Sequence, residues 1–266
     1  MIIIDTHVHL YAVYNMAFFF DCAYKNFEVV TRHQANSSSG QFVLMLTETT
    51  RHNWFSETTT RLKAEKVVIF DRWSIQKTND KNCICAVSNT NEKLFIIKGY
   101  QIVTKENLEV LALGLDARIA DGLALEQTIA QVLRVGSMPV LPWGVGKWLG
   151  KRGRIINNLL NSDIASQIAL GDNGGRPGIF PVPEQFTTAE QLGIPIFPGT
   201  DPLPLASEEK KVGRCCLVYQ KELDDQPISH QVIQLLKNRE IEFKKKIVLE
   251  NNFRFLVNQL LLRWQK

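Results

Sequence analysis

Seven short apolar runs constrain most strongly what this chain can fold into. Each run is rich in Val, Ile, Leu or Phe and lacks the alternation of apolar and polar residues that marks a half-exposed strand. Strands that are buried on both faces, as in parallel sheets, have this pattern. The runs are 2–4, 42–46, 67–70, 94–97, 138–141, 168–170 and 194–197.

Segments with helical spacing separate several of these runs. Segment 123–134 has apolar residues at 125, 129, 132 and 133, and 155–160 and 188–192 are shorter candidates. Alternating strands and helices are typical of a parallel sheet. We therefore predict an α/β fold, a (β/α) TIM-like barrel, either regular or distorted with seven strands.

Two regions depart from the alternation. Segment 74–92 is polar and predicts a hairpin or an excursion between strands. The tail 230–266 predicts one or two long helices, with the lysines 244–246 on a solvated face. Because no low-complexity linker divides the chain, we predict a single barrel domain over 1–266 with C-terminal helices.

The composition excludes several classes of protein. With 45% hydrophobic and 22% charged residues, the chain predicts an ordinary soluble globular protein. It has no apolar run of the roughly 18 residues that a membrane span needs, and no basic segment of a signal peptide. Five cysteines in C-x-C and C-C spacings are a poor disulfide framework, so we predict reduced thiols and a cytoplasmic location. The net charge of +4 permits an anionic ligand without implying nucleic acid, and the oligomeric state stays open.

Polar residues follow the apolar runs. The first run leads to Asp5, His7 and His9, and the last leads to Asp201. In a parallel barrel the carboxyl ends of all strands share one face, where active sites are built. First and last strands are neighbours in a closed barrel, so we expect His7, His9 and Asp201 to meet. Residues two apart in a strand point to the same side, and imidazole suits zinc, iron or manganese.

The same motifs resemble those of metal-dependent barrel hydrolases. DTHVHL at 5–10 and GTDP at 199–202 are similar to the first and last motifs of both the amidohydrolase superfamily and the polymerase-and-histidinol-phosphatase (PHP) family. LTETTRHNW at 46–54 and KGYQIVTKENLEVLALGL at 98–115 resemble middle motifs of the PHP family. The resemblance implies a metal-dependent hydrolase of divergent type.

Several of the family's ligand positions carry other residues here. These positions are Glu48, Thr49, Gln101, Glu109 and Leu203. The residues that match are His7, His9 and Asp201. Three ligands could hold one divalent ion (Zn, Mn or Fe) with an open position, rather than the family's multinuclear site.

Two glycine-rich loops carry basic residues. Loop 142–154 holds Lys147 and Arg152, and loop 171–177 holds Asp172 and Arg176. Exposed amides in such loops could cradle an anion together with these cations. Equally, the first loop could be a surface loop with solvated charges, and the second a turn with an Asp–Arg pair.

The remaining histidines are weaker candidates. His33 and His230 lie in polar, helix-like surroundings and are predicted on the surface, whereas His52 follows the second run and could reach the predicted site.

Two functions follow from these residues. The first is a metal-dependent hydrolase acting on a small phosphoester, with Lys147, Arg152 and Arg176 neutralising phosphate oxygens and Asp172 or Asp5 taking the proton. The second is a catalytically degenerate barrel that binds an anionic metabolite without turnover. An amide-bond hydrolase is a weaker third choice, because that class usually needs further histidines and none lies between His52 and His230.

Overall fold

The computed structural model describes residues 1–33, 40–116 and 118–264. In these residues the strands are β1 (Ile2–Val8), β2 (Gln41–Leu46), β3 (Val68–Phe70), β4 (Trp73–Lys77), β5 (Cys83–Ser88), β6 (Lys93–Ile97), β7 (Gly99–Val103), β8 (Glu109–Leu113), β9 (Met138–Pro142), β10 (Ala169–Asn173), β11 (Ile196–Gly199), β12 (Cys216–Tyr219) and β13 (Lys244–Lys246). The α-helices are α1 (Met16–Arg32), α2 (Trp54–Glu65), α3 (Leu125–Arg134), α4 (Gly150–Leu160), α5 (Glu184–Gln191), α6 (Ile228–Lys237) and α7 (Asn252–Trp264). No helix in the described ranges is long and apolar enough to cross a membrane.

The strands form two mixed sheets, and the predicted TIM-like barrel is wrong. The first sheet has eight strands in the order β13-β12-β1-β2-β6-β5-β4-β3, and the second has five in the order β11-β10-β9-β8-β7. In the first sheet the parallel pairs are β1 with β2 and β2 with β6. In the second sheet they are β9 with β10 and β10 with β11. The architecture is therefore an open α+β fold and not a closed barrel.

Short reversals of the chain explain this outcome. Strands β3 to β6 are consecutive antiparallel neighbours, and β7 and β8 form a further hairpin. A parallel barrel needs a crossover connection between each pair of strands, and these tight turns leave no room for one. The predicted excursion at 74–92 is thus a confirmed hairpin, β4 and β5, whereas β7 and β8 did not stand out as a hairpin in the sequence.

The two sheets pack face to face, with helices outside both. Alternate residues of β1 show the layering, since Ile2 and Ile4 lie in the core between the sheets while Ile3 packs among residues of α1. The outer face of the second sheet packs against α3, α4 and α5. Helix α6 adds Val232 and Ile233 to the core between the sheets. Each of the seven apolar runs overlaps a strand in the structure. The expected burial on both faces fails for β3, the edge strand of the first sheet, where Ile69 is exposed.

The predicted helical tail is interrupted by a strand. Helices α6 and α7 are separated by β13, in which lysines 244–246 pair antiparallel with β12 at the edge of the first sheet. The helix expected at these lysines is therefore wrong, but their predicted solvated position is confirmed, since two of the three are exposed and the third is half-buried. Edge strands commonly carry lysine. The last two residues of the predicted tail, 265 and 266, lie outside the described residues.

Contacts between β1 and β11 join the two sheets next to the predicted metal ligands. Thr6 Oγ1 donates to the Pro198 carbonyl at 3.0 Å, and Asp201 N donates to the His7 carbonyl at 2.8 Å. A Cβ on Gly199 would lie 2.4 Å from His7 Cβ. Glycine at this position therefore allows the two strands to approach closely enough to bring their ends together.

Candidate metal centre

The structure brings together His7, His9 and Asp201. His7 Nε2 lies 3.1 Å from His9 Nε2, and each of these nitrogens lies 3.4 Å from Asp201 Oδ1. Both histidines are buried, while the side chain of Asp201 is 27% exposed. The three ligand atoms form a nearly equilateral triangle with an opening to solvent on the aspartate side.

These distances fit a single ion. Ligand atoms bound tetrahedrally to zinc at about 2.0–2.1 Å are separated from one another by about 3.3–3.4 Å. The three observed separations, 3.1, 3.4 and 3.4 Å, are close to this value. Two imidazoles and a carboxylate are also a donor set suited to zinc, iron or manganese.

Asn173 at the end of β10 orients two of the three ligands. Its Nδ2 donates to Asp201 Oδ2 and to the Trp143 carbonyl, both at 2.7 Å. Its Oδ1 therefore faces His7 Nδ1, at 3.2 Å. Because an amide oxygen only accepts, His7 carries its proton on Nδ1 and presents a lone pair on Nε2 to the site.

The sequence analysis missed Asn173 and named its neighbour Asp172. Strand β10 extends beyond the apolar run, and Ala169 lies in the core between the sheets. Residues 171 and 173 share the inner side with Ala169, whereas Leu170 and Asp172 lie on the outer side. Extending the strand by two residues and applying this parity would have identified Asn173.

Asp5 holds the backbone that carries Asp201. Its carboxylate accepts hydrogen bonds from Thr200 N at 2.9 Å, from Thr200 Oγ1 at 2.5 Å and from Gly213 N at 2.9 Å. Complete burial raises the pKa of Asp5 to about 6, against the lowering effect of these hydrogen bonds. Asp201, which follows Thr200 in the chain, has a left-handed φ of 47°. Strained backbone conformations of this kind cluster at functional sites.

Electrostatics at the site favour an ionised Asp201 and a neutral His7. Burial opposes ionisation of Asp201, but the charges of His7 and His9 and a hydrogen bond from His9 hold its pKa well below the usual range. Burial also lowers the pKa of His7, with Asp201 acting in the opposite direction. Ionised carboxylate and neutral imidazole are the forms that bind metal ions.

Lys147 and Glu109 form an ion pair whose charges act on the candidate ligands. Lys147 Nζ donates to Glu109 Oε1, its charge contributes to lowering the pKa of Asp201, and the charge of Glu109 raises the pKa of His7. Arg152, the other predicted anion-binding residue of loop 142–154, donates to the carbonyls of Gly146 at 2.9 Å and Asn107 at 3.4 Å. The loop therefore reaches the site through Lys147.

Asp172 and Arg176 pair with each other instead of joining the three ligands. Arg176 Nε and Nη2 donate to the two oxygens of Asp172 at 2.8 and 2.7 Å, and both residues are buried. The Arg176 guanidinium also lies 5.9 Å from the ring of Phe186, which belongs to the core outside the second sheet. This arrangement matches the Asp–Arg pair that the sequence left as the alternative for loop 171–177.

Aromatic residues border the site on the β2 side. The Tyr11 ring lies 5.6 Å from that of His9 and 4.9 Å from that of His52, centroid to centroid. His52 is held by Thr49 Oγ1, 2.9 Å from its Nδ1. His33 and His230 are both exposed and lie elsewhere.

Glu48 has a different role from the ligand that the family resemblance places near it. Its Oε1 accepts a hydrogen bond of 2.6 Å from Phe55 N in the first turn of α2. Within the described residues its Oε2 is buried without a hydrogen-bond partner. Burial accordingly raises the pKa of Glu48 to about 7. Gln101 in β7 is another of the altered positions, and its main-chain N–H donates to the Glu48 carbonyl at 2.8 Å.

Comparisons with known proteins show a shared fold. No protein-family model and no curated protein matches this chain. Among solved structures it is similar to PsfC from Pseudomonas syringae PB-5123, with a TM-score of 0.58, 14% sequence identity and coverage of 99% of this chain and 98% of PsfC. At this identity the likeness concerns the fold alone, over nearly the whole length of both chains.

Proposed function

We propose that this protein is a metal-dependent hydrolase of phosphoesters, with His7, His9 and Asp201 binding one divalent ion. The observation that carries the proposal is the near-equilateral triangle of their ligand atoms, which has the size that a tetrahedral ion requires. Three protein ligands leave one coordination position open, as in catalytic sites. When bound, the ion would polarise a phosphoryl oxygen and lower the pKa of a coordinated water.

The surrounding residues supply the remaining chemistry. An ammonium has three donors, so Lys147 can bind a phosphoryl oxygen while keeping its bond to Glu109. We assign to Glu109, whose charge acts on both His7 and Tyr11, the role of accepting a proton from the attacking water. Asn173 holds His7 and Asp201 in the orientation that directs them to a common point.

Three residues expected to take part in the reaction have structural roles in this proposal. Asp5 is fully buried and accepts its hydrogen bonds from backbone and Thr200, so it positions Asp201. Asp172 and Arg176 neutralise each other on the outer side of β10. The proton acceptor and the phosphate-binding cation are therefore assigned to Glu109 and Lys147.

A second function is a protein that binds a metal ion and an anion without turnover. The pairing of Arg176 with Asp172 favours this second function, because the pair takes away one of the cations that a phosphoesterase would use to stabilise its charged transition state. Lys147 is also partly neutralised by Glu109. Measurement of turnover by metal-loaded protein separates the two functions.

The proposal is tested by metal analysis of the protein purified without added metal or chelator. We expect about one ion per chain in the wild type, almost none in His7→Ala, and a wild-type content in His230→Ala, which removes an exposed histidine. Hydrolysis of p-nitrophenyl phosphate should be lost together with the ion. Equal metal content in wild type and His7→Ala would contradict the site, whereas bound metal without hydrolysis under Zn²⁺, Mn²⁺ or Fe²⁺ would favour the second function.

A further inference from the structure

A cavity of about 510 Å³ lies beside the candidate metal centre. It is enclosed by loop 142–154 on one side and by residues 180–185, which lead into α5, on the other. Its walls are largely aromatic and aliphatic, with Trp143, Trp148 and Phe180 as the largest side chains. The volume and the apolar lining are typical of pockets for small organic molecules.

The cavity begins one side chain away from the metal ligands. Asn173 Nδ2 donates both to Asp201 Oδ2 and to the carbonyl of Trp143, a residue of the cavity wall. The wall continues through Gly144, whose carbonyl accepts from Lys147 N at 2.9 Å. The candidate ligand Asp201 and the cavity wall are therefore joined through the single side chain of Asn173.

The aromatic side chains of the cavity wall pack edge to face with their neighbours. The rings of Trp143 and Phe180 meet edge to face, with centroids 6.4 Å apart, and Trp148 packs against Phe186 below at 5.4 Å. Rings pack favourably against such edges and faces, with a benefit beyond the area they bury. The apolar aromatic lining thus suits an aromatic ring better than a flexible polar chain.

Polar groups from both walls also line the cavity. Gln185 is buried and donates to Asn157 Oδ1 at 2.9 Å, and Asn157 Nδ2 donates to Glu184 Oε1 at 3.0 Å. Arg154 also lines the cavity and is exposed. A few placed polar groups in an apolar pocket fix the orientation of a ligand, here a ring with a polar edge.

We infer that this cavity binds the ring of an aromatic alcohol whose phosphate ester is the substrate. The inference rests on the proposed function for the phosphate end and on the cavity for the ring end. The phosphate lies at Lys147 and the metal ligands, and the ring lies between Phe180 and Trp148. Small aliphatic phosphoesters lack the group that fills the cavity and bind more weakly.

Isothermal titration calorimetry with three probes tests this inference on the purified full chain. The probes are 1-naphthyl phosphate, 1-naphthol and glycerol 3-phosphate. We expect 1-naphthyl phosphate to bind at least about tenfold more tightly than glycerol 3-phosphate, because only the former fills the apolar cavity. Phe180→Ala should weaken both naphthyl probes by about tenfold and leave glycerol 3-phosphate unchanged.

Ile179→Ala is the matched control variant. Ile179 directly precedes Phe180 in the chain, and the two side chains are 70% and 37% exposed. Within the described residues Phe180 lines the cavity and Ile179 does not. It should bind all three probes as the wild type does. Equal affinities for 1-naphthyl phosphate and glycerol 3-phosphate, or naphthyl binding that Phe180→Ala leaves unchanged, would overturn the inference.

The naphthol probe separates this inference from the proposed function. Binding of 1-naphthol that depends on Phe180 supports the cavity even if no metal-loaded preparation hydrolyses a phosphoester, an outcome that counts against the hydrolase alone. Lys147→Ala should weaken 1-naphthyl phosphate but not 1-naphthol. If Lys147→Ala leaves both unchanged, the ring site is not connected to the phosphate site and the inference fails.

Discussion

Removal of the Asn173 side chain is expected to weaken the metal site without touching a ligand. Asn173→Ala deletes the acceptor for His7 Nδ1 and the donor to Asp201 Oδ2. Loss of such partners of metal ligands typically lowers metal affinity by 10- to 100-fold, or about 1.4–2.7 kcal/mol. Since Asn173 serves two of the three ligands, we expect the upper part of this range.

The effect on stability follows from the same numbers. A Zn²⁺ concentration of 1,000 times the wild-type Kd stabilises the folded protein by about 4 kcal/mol. At the same Zn²⁺ concentration, an affinity 10 to 100 times weaker leaves about 2.7 to 1.4 kcal/mol of that stabilisation. The melting temperature of Asn173→Ala should therefore rise less on addition of Zn²⁺ than that of the wild type.

Competition with a fluorescent chelator measures the affinity, and thermal unfolding with and without Zn²⁺ measures the stabilisation. Asn157→Ala is the control. Asn157 on α4 makes comparable amide hydrogen bonds, but its side-chain partners are Glu184 and Gln185 on α5 rather than the candidate metal ligands. Circular dichroism verifies that each variant is folded. A folded Asn173→Ala protein that binds Zn²⁺ within threefold of the wild type would refute the reasoning.

Two further predictions concern stability. The carboxyl of Glu48 has a pKa of about 7 in the folded protein against an ordinary value of 4.5, so folding takes up a proton at Glu48 between these pH values. Glu48 should therefore add up to about 3 kcal/mol of stability as pH falls from 8 to 5, and Asp5, with a pKa of about 6, adds a smaller gain over the same range. Urea unfolding should show that Glu48→Gln loses the Glu48 part of this gain while the control Glu57→Gln keeps all of it; an unchanged pH profile in Glu48→Gln would contradict the assignment. Gly199→Ala should cost about 1–3 kcal/mol of unfolding free energy and weaken Zn²⁺ binding, because the added Cβ would lie 2.4 Å from His7 Cβ. Gly175→Ala, where the described structure has open space, should change neither quantity, and a Gly199→Ala variant as stable as the wild type would show that the strands are not closely packed there.

Local features of the structure were predictable from the sequence. Apolar runs such as 42–46 and 138–141 form strands because burial on both faces selects continuous apolar residues, and β2 and β9 indeed lie between a helical layer and the core between the sheets. The proximity of His7 and His9 follows from their spacing of two residues at the end of the extended strand β1. These properties depend on neighbours in the chain.

Residues distant in the chain decided the rest. Runs of similar composition became parallel in β1 and β2 but antiparallel in β5 and β6, because strand direction depends on the connecting turns and on which partner is available. The barrel argument placed Asp201 near His9 through closure of a sheet. The structure reaches the same proximity through close contact of β1 and β11 from different sheets, which Gly199 permits.

The sequence by itself determined the positions of the buried strands and the residue types of the three candidate ligands, since both are expressed in residue types and short spacings. The tertiary structure alone decided which other polar groups reach them. Asp172 and Asn173 are adjacent in the chain, yet Asp172 pairs with Arg176 on the outer side of β10 while Asn173 binds His7 and Asp201 on the inner side. The physical reason is that a strand sends consecutive side chains to opposite faces, and only the packing of the second sheet against the first decides which face meets the ligands.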